Sequence, residues 1–168
     1  EHARAERLWD EAKATALQLR CADKPGVVEE ESKPTTQSSP QLYDLTTLQR
    51  EANSRFGFSA RNTLGLAQAL YEKHKVLTYP RTDARCLPED YLGTVGETLE
   101  MLADLNTSGG AYAGFAKTVL KNKWVKPNKR IFNNEKISDH FAIIPTLQAP
   151  KNLSEPEQKL YDLVVKRF

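Results

Sequence analysis

The chain has 168 residues, room for one ordinary domain and part of a second, and 39% of them are hydrophobic, enough for a packed core. With 24 basic against 22 acidic residues its net charge is only +2, so overall charge cannot drive contact with a phosphate backbone and any such contact must come from local clustering. Two cysteines, Cys21 and Cys86, form no disulfide or metal pattern, and no secretory signal or membrane-length apolar run is visible, which together fit a reducing cytoplasm.

Taken in order, residues 1–16 carry Ala5, Leu8, Trp9, Ala12 and Ala16 at helical spacing and predict an amphipathic helix. Pro25-Gly26 marks a turn, and Val27-Val28 before Glu29, Glu30 and Glu31 predicts a short exposed strand at best. Adjacent glutamates in a strand face opposite ways, so a solvated acidic run is expected rather than a metal site. Residues 33–40 have linker composition and mark a boundary. Thr46 with Gln49 has capping-box spacing for a helix ending near Gly57. Ser59 then caps a second helix to about Lys73, with Leu64, Ala67, Leu70 and Tyr71 inward. Gly65 costs that helix roughly 1 kcal/mol against alanine and suggests a close backbone approach. Lys73, His74 and Lys75 crowd its last turn, where positive charge suits the helix dipole.

Residues 77–83 read Leu-Thr-Tyr-Pro-Arg-Thr-Asp. Pro80 forces Tyr79 into extended geometry, and in an extended chain Tyr79, Arg81 and Asp83 share a face. A phenol is almost wholly un-ionised at neutral pH and needs help to attack a phosphodiester. The planar, permanently charged guanidinium of Arg81 would supply it by holding phosphate oxygens, with Asp83 orienting Arg81 or a proton carrier. Spacing alone leaves the choice open. A tyrosine beside a proline is also an ordinary half-buried turn residue, Arg81 with Asp83 an ordinary surface ion pair, and Tyr43, Tyr71, Tyr91, Tyr112 and Tyr161 compete on composition.

Pro88 suits the first turn of a helix with the stripe Leu92, Val95, Leu99 and Leu102. Gly109-Gly110 breaks the chain before a helix over 111–120 with Tyr112, Phe115 and Val119 inward. Residues 121–136 are the most basic stretch: Lys121, Lys123, Lys126, Lys129, Arg130 and Lys136 against Glu135, with Trp124 and Phe132 interleaved. Cations can follow a phosphate backbone while rings stack on unpaired bases, so Lys123, Trp124, Lys126, Lys129 and Arg130 are candidate nucleic-acid contacts. A solvated loop with its two aromatics packed on the domain is the equal alternative. His140 precedes an apolar run, 141–144, expected to be buried and to hold the histidine at the edge of a rigid element. Ser154 and Glu157 have capping-box spacing for a last helix with Leu160, Tyr161, Val164, Val165 and Phe168 inward. The whole predicts a mainly helical domain of about five helices with a few short strands over 45–168. Glu1 in place of an initiator, Met101 as sole methionine and an uncapped end at Phe168 suggest a piece of a longer polypeptide.

Residues 59–87, centred on Thr78-Tyr79-Pro80-Arg81-Thr82-Asp83, resemble the active-site region of type IA DNA topoisomerases, and within them the bacterial topoisomerase III branch. Residues 138–146, Ser-Asp-His-Phe-Ala-Ile-Ile-Pro-Thr, resemble the family's second hallmark, in the family's order. The resemblance implies a transesterification through a 5′-phosphotyrosine on single-stranded DNA, with Tyr79 as nucleophile, Arg81 as phosphate ligand, His140 as phosphate or proton partner and Asp83 as orienting residue. It assigns residues 1–44 to part of an arch domain containing β structure and 45–168 to the tyrosine-bearing domain, the last residues re-entering the arch. It implies magnesium held by a Toprim domain absent from this chain, so that the chain alone neither cleaves nor relaxes DNA, and a place in the bacterial cytoplasm at the nucleoid. Ala84 stands where the family usually has serine. The competing expectations are a non-catalytic module binding single-stranded nucleic acid, in which Tyr79 merely packs, and a helical protein-interaction domain.

Overall fold

The computed structural model describes residues 8–104 and 110–168. The chain divides into two units, Glu1–Gln37 and Ser38–Phe168. In the first, helix α1 spans Glu11–Cys21 and starts at Asp10, whose carboxylate accepts from the Lys13 N–H at 3.2 Å. Of the helix expected over 1–16, Leu8 and Trp9 lie outside α1, which runs on to Cys21, and Ala5 lies outside the described residues. No residue of α1 is buried. Val27 and Val28 are almost fully exposed and form no strand, having no neighbouring strand to pair with, and Glu29 to Glu31 are solvated as expected.

The second unit starts before residue 45 because Leu42, Tyr43 and Asp44 are already buried in its core. It contains helices α2 (Leu45–Phe56), α3 (Ala60–Glu72), α4 (Leu92–Ala103), α5 (Ala113–Lys121) and α6 (Glu155–Arg167), with 3-10 turns at Glu89–Tyr91 and Asn134–Lys136. Helix α2 is capped by Asp44 with Thr47 rather than by Thr46 with Gln49: the Asp44 carboxylate accepts from the Thr47 N–H at 2.6 Å, and the Asp44 N–H donates to the Thr47 hydroxyl at 3.2 Å. It ends at Gly57, whose φ of 70° lies in the left-handed region that glycine tolerates. Ser59 caps α3 and the Ser154/Glu157 box caps α6, as their spacing predicts.

Helix α3 packs on α2 and α6, and α4 packs on α5. Leu48, Leu70, Leu77, Leu102, Ile143, Ile144, Leu160 and Val164 are among the fully buried side chains, each contributing about 1.5–3 kcal/mol of transfer free energy. The short strands expected between helices reduce to three isolated bridges among the described residues, Tyr43 with Ile143 and Leu77 with Pro145 antiparallel, Leu87 with Phe132 parallel. Two local expectations fail. A Cβ on Gly65 would meet nothing within 4 Å, so no backbone approaches there. Phe115 is 79% exposed because the buried face of α5 runs through Ala113 and Ala116.

Candidate active site

Helix α3 ends at Glu72, and the chain turns through Lys75 at φ 58°, a left-handed conformation uncommon for a side-chain-bearing residue. The turn is pinned: the Thr146 hydroxyl donates to the Lys75 carbonyl at 2.6 Å, and the Thr146 N–H to the Val76 carbonyl at 3.0 Å. The chain then runs extended beside residues 140–146. Thr78 bridges the two segments, its N–H donating to the Ile144 carbonyl at 3.0 Å, its hydroxyl donating to the Ala142 carbonyl at 3.0 Å and accepting from the Ile144 N–H at 2.9 Å. The Thr82 hydroxyl donates to the His140 carbonyl at 2.9 Å and accepts from the Ala84 N–H at 3.1 Å. The Ala142 N–H donates to the Cys86 carbonyl at 3.0 Å. Segments distant in sequence are thus fastened on both sides of Tyr79.

Burial alternates along this segment: Pro80, Thr82, Ala84 and Cys86 are buried, Arg81, Asp83 and Arg85 exposed, and Tyr79 half-buried. The Tyr79 ring lies 4.2 Å from the exposed His140 ring, centroid to centroid, with the planes inclined at 41°. Tyr71, from the last turn of α3, meets Tyr79 edge-on at 5.4 Å and 81°. Arg81 and Asp83 form no hydrogen bond or ion pair among the described residues, which leaves the guanidinium open to an anion. Ala84 is 5% exposed, so its methyl faces the interior rather than the surface carrying Arg81.

Three of the other tyrosines are poorer nucleophiles for physical reasons. Burial pushes the phenols of Tyr43, Tyr112 and Tyr161 well above the ordinary tyrosine range, and Tyr43 further donates to Glu51. Tyr91 is packed against Phe141 at 4.8 Å. His74, expected to serve the helix dipole, instead places its Nε2 3.2 Å from the Glu157 carboxylate, tying the end of α3 to the start of α6.

The basic stretch is arranged differently. Trp124 is 63% exposed and, with Lys126, lines a cavity of about 400 Å³ beside Val95, Val119 and Phe168; neither Tyr79, Arg81 nor His140 lines it. Lys129 lines a smaller cavity of about 300 Å³ with Glu89 and Phe132. The Arg130 guanidinium donates to the Ser39 carbonyl, while Lys123 is exposed at φ 52° and Phe132 is buried in the core. Among the described residues no group of three or more His, Cys, Asp or Glu side chains could hold a metal ion. Nor is any helix among them long and apolar enough to cross a membrane.

Sequence reasoning passed over Thr78, Thr82 and Tyr71 as parts of the site. The signal was there for the threonines: each occupies the inward parity of an extended segment, where a buried hydroxyl must find a partner.

Residues 1–168 match the family described as DNA topoisomerase. DNA topoisomerase 3 of Bacillus cereus strain ATCC 14579 is 51% identical over 145 residues, covering 84% of this chain and 19% of that protein. DNA topoisomerase 3 of Bacillus subtilis strain 168 is 42% identical over 165 residues, 96% of this chain and 22% of that protein. The solved structure of full-length topoisomerase I from Thermotoga maritima superposes with a TM-score of 0.58 at 26% identity, over 99% of this chain and 26% of that one. The chain spans about a fifth of the length of the curated relatives it matches.

Proposed function

Because the chain belongs to the DNA topoisomerase family, we propose that it carries the strand-cleaving tyrosine of a type IA enzyme, and that this tyrosine is Tyr79. The Tyr79 oxygen attacks a backbone phosphorus of single-stranded DNA. An O–P bond to tyrosine forms as the bond to the 3′ oxygen breaks; the phenol gives up its proton and the 3′ oxygen leaves as a hydroxyl. The reverse attack by that hydroxyl reseals the strand and frees the phenol. One phosphodiester is exchanged for another, so no nucleotide hydrolysis is needed.

Arg81 holds the non-bridging oxygens and stabilises the charge that builds on them, His140 contacts the phosphate or moves the proton, and Asp83, which is not paired with Arg81 among the described residues, orients Arg81 or a proton carrier once a phosphate is held. Lys123, Trp124, Lys126, Lys129 and Arg130 extend the nucleic-acid contact. The segment before the second unit contributes to an arch and the second unit, which takes in Leu42, Tyr43 and Asp44 as well as 45–168, forms the tyrosine-bearing domain, with the last residues returning to the arch. Magnesium belongs to a Toprim domain elsewhere in the polypeptide, so this chain alone neither cleaves nor relaxes DNA, and the complete protein works in the bacterial cytoplasm at the nucleoid.

The observation that carries this reading is the 4.2 Å approach of the Tyr79 and His140 rings, two motifs far apart in sequence meeting at the surface. Tyr79→Phe in a full-length polypeptide carrying this chain is expected to abolish the covalent adduct with an oligonucleotide, seen on a denaturing gel, while leaving oligonucleotide affinity intact. An undiminished adduct rules out Tyr79.

A further inference from the structure

Tyr79 sits on an extended segment and is half-exposed, so packing of a core does not fix its side chain; the side chains touching its ring do. His140 is one of them, itself exposed. Another is Tyr71, which meets Tyr79 edge-on at 5.4 Å and 81°, the arrangement in which the positive rim of one ring meets the negative face of the other. Tyr71 is well placed to act as a fixed reference. It belongs to α3, whose neighbouring residues Ala67 and Leu70 are fully buried, and the ammonium of Lys75 lies 5.7 Å from its ring centroid. Lys75 is also the left-handed residue that turns the chain back, and its carbonyl is held by Thr146. The turn thereby brings Tyr79 over the helix end from which it departed.

We propose that Tyr71 is a positioning residue: its ring, set nearly perpendicular to that of Tyr79, limits the rotation of the Tyr79 ring beside His140 and so sets where the phenol oxygen stands when a phosphate arrives. The inference rests on the reading of Tyr79 as nucleophile. Tyr71 touches no reacting atom, so its loss should lower the rate of adduct formation without weakening DNA binding.

The test is single-turnover cleavage of an oligonucleotide by the full-length polypeptide carrying Tyr71→Phe, Tyr71→Leu or Tyr71→Met, beside Tyr79→Phe, with oligonucleotide Kd and thermal unfolding measured for each. Phe keeps the ring edge and should cleave within about twofold of wild type, whereas Leu and Met, which fill the space without a ring, should slow cleavage about tenfold at unchanged Kd. Tyr71 is half-exposed, so neither replacement empties the core, and an intact Kd and unfolding midpoint identify the folded variants. Wild-type cleavage by Leu and Met, a loss confined to Kd, or a Phe variant as slow as Leu would each overturn the proposal. Cleavage by Tyr79→Phe would instead sink the reading beneath it; its inactivity alongside an unaffected Leu variant would sink the Tyr71 proposal alone.

Discussion

The Thr82 hydroxyl donates to the main-chain carbonyl of His140 at 2.9 Å, joining the tyrosine segment to the histidine segment. The same oxygen accepts from the Ala84 N–H. Replacing Thr82 by valine keeps its shape and strands two polar main-chain groups, a cost of about 1–3 kcal/mol in stability. Because His140 then loses its tether, adduct formation in the full-length polypeptide should fall by about tenfold, and Thr82→Ser should restore it. Thermal unfolding and single-turnover cleavage measure the two effects separately; a Val variant that matches wild type in both would show the bond to be dispensable.

Asp44 gives the second unit a pH dependence of definite sign. Burial opposes ionisation of its carboxyl, but hydrogen bonds from the Thr47 hydroxyl and N–H and from Arg85, at 2.6 Å, outweigh burial and hold it below the usual carboxylate range. A depressed folded-state value means the stabilisation is present above the unfolded-state value, about 4, and is lost as pH falls through the folded value. Asp44→Asn should therefore be less stable than wild type at pH 7, and the gap should close on acidification below about pH 4. Urea titrations from pH 7 downward measure it, and a gap that widens in acid would contradict the assignment.

Tyr161 lies fully buried in α6, and its hydroxyl has no hydrogen-bond partner among the described residues. An unpaired buried hydroxyl costs roughly 1–3 kcal/mol, so Tyr161→Phe should raise stability by about 1 kcal/mol. Differential scanning calorimetry would show a higher Tm for the variant. A lower Tm would mean that the hydroxyl is paired in solution.

Lys126 and Trp124 test the basic stretch apart from the cleavage chemistry. If it follows a single strand, Lys126→Ala should reduce the dependence of log K on log salt by roughly one ion, and Trp124→Ala should weaken oligonucleotide binding by about 1–3 kcal/mol with that slope kept. Salt titrations of binding by the chain report both. Unchanged affinity in both variants would leave these residues as surface and cavity lining only.

Local physics was well encoded where one residue type answers one backbone need. Ser59 and Ser154 mark their helices, Gly57 takes the left-handed position, and Val95, Leu99 and Leu102 sit inward as their spacing predicts. Where two local solutions compete, the sequence was ambiguous. Asp44 with Thr47 and Thr46 with Gln49 both have the spacing of a cap, and burial of Asp44 beside Arg85 favoured the former. Phe115 is apolar at helical spacing from Tyr112 yet stays exposed, lining a cavity with Val95, Leu99 and Leu102 of α4 instead of packing into the core.

For the site itself, the sequence alone determined that Pro80 would favour an extended Tyr79 and that Tyr79, Arg81 and Asp83 would fall on one parity of the segment, since both follow from backbone sterics within a few bonds. It did not determine which distant residues would flank the phenol. That required Thr78 to join Ala142 and Ile144, Thr82 to hold His140, and α3 to bring Tyr71 alongside, contacts between segments that no local preference connects and that form only when the core closes around them.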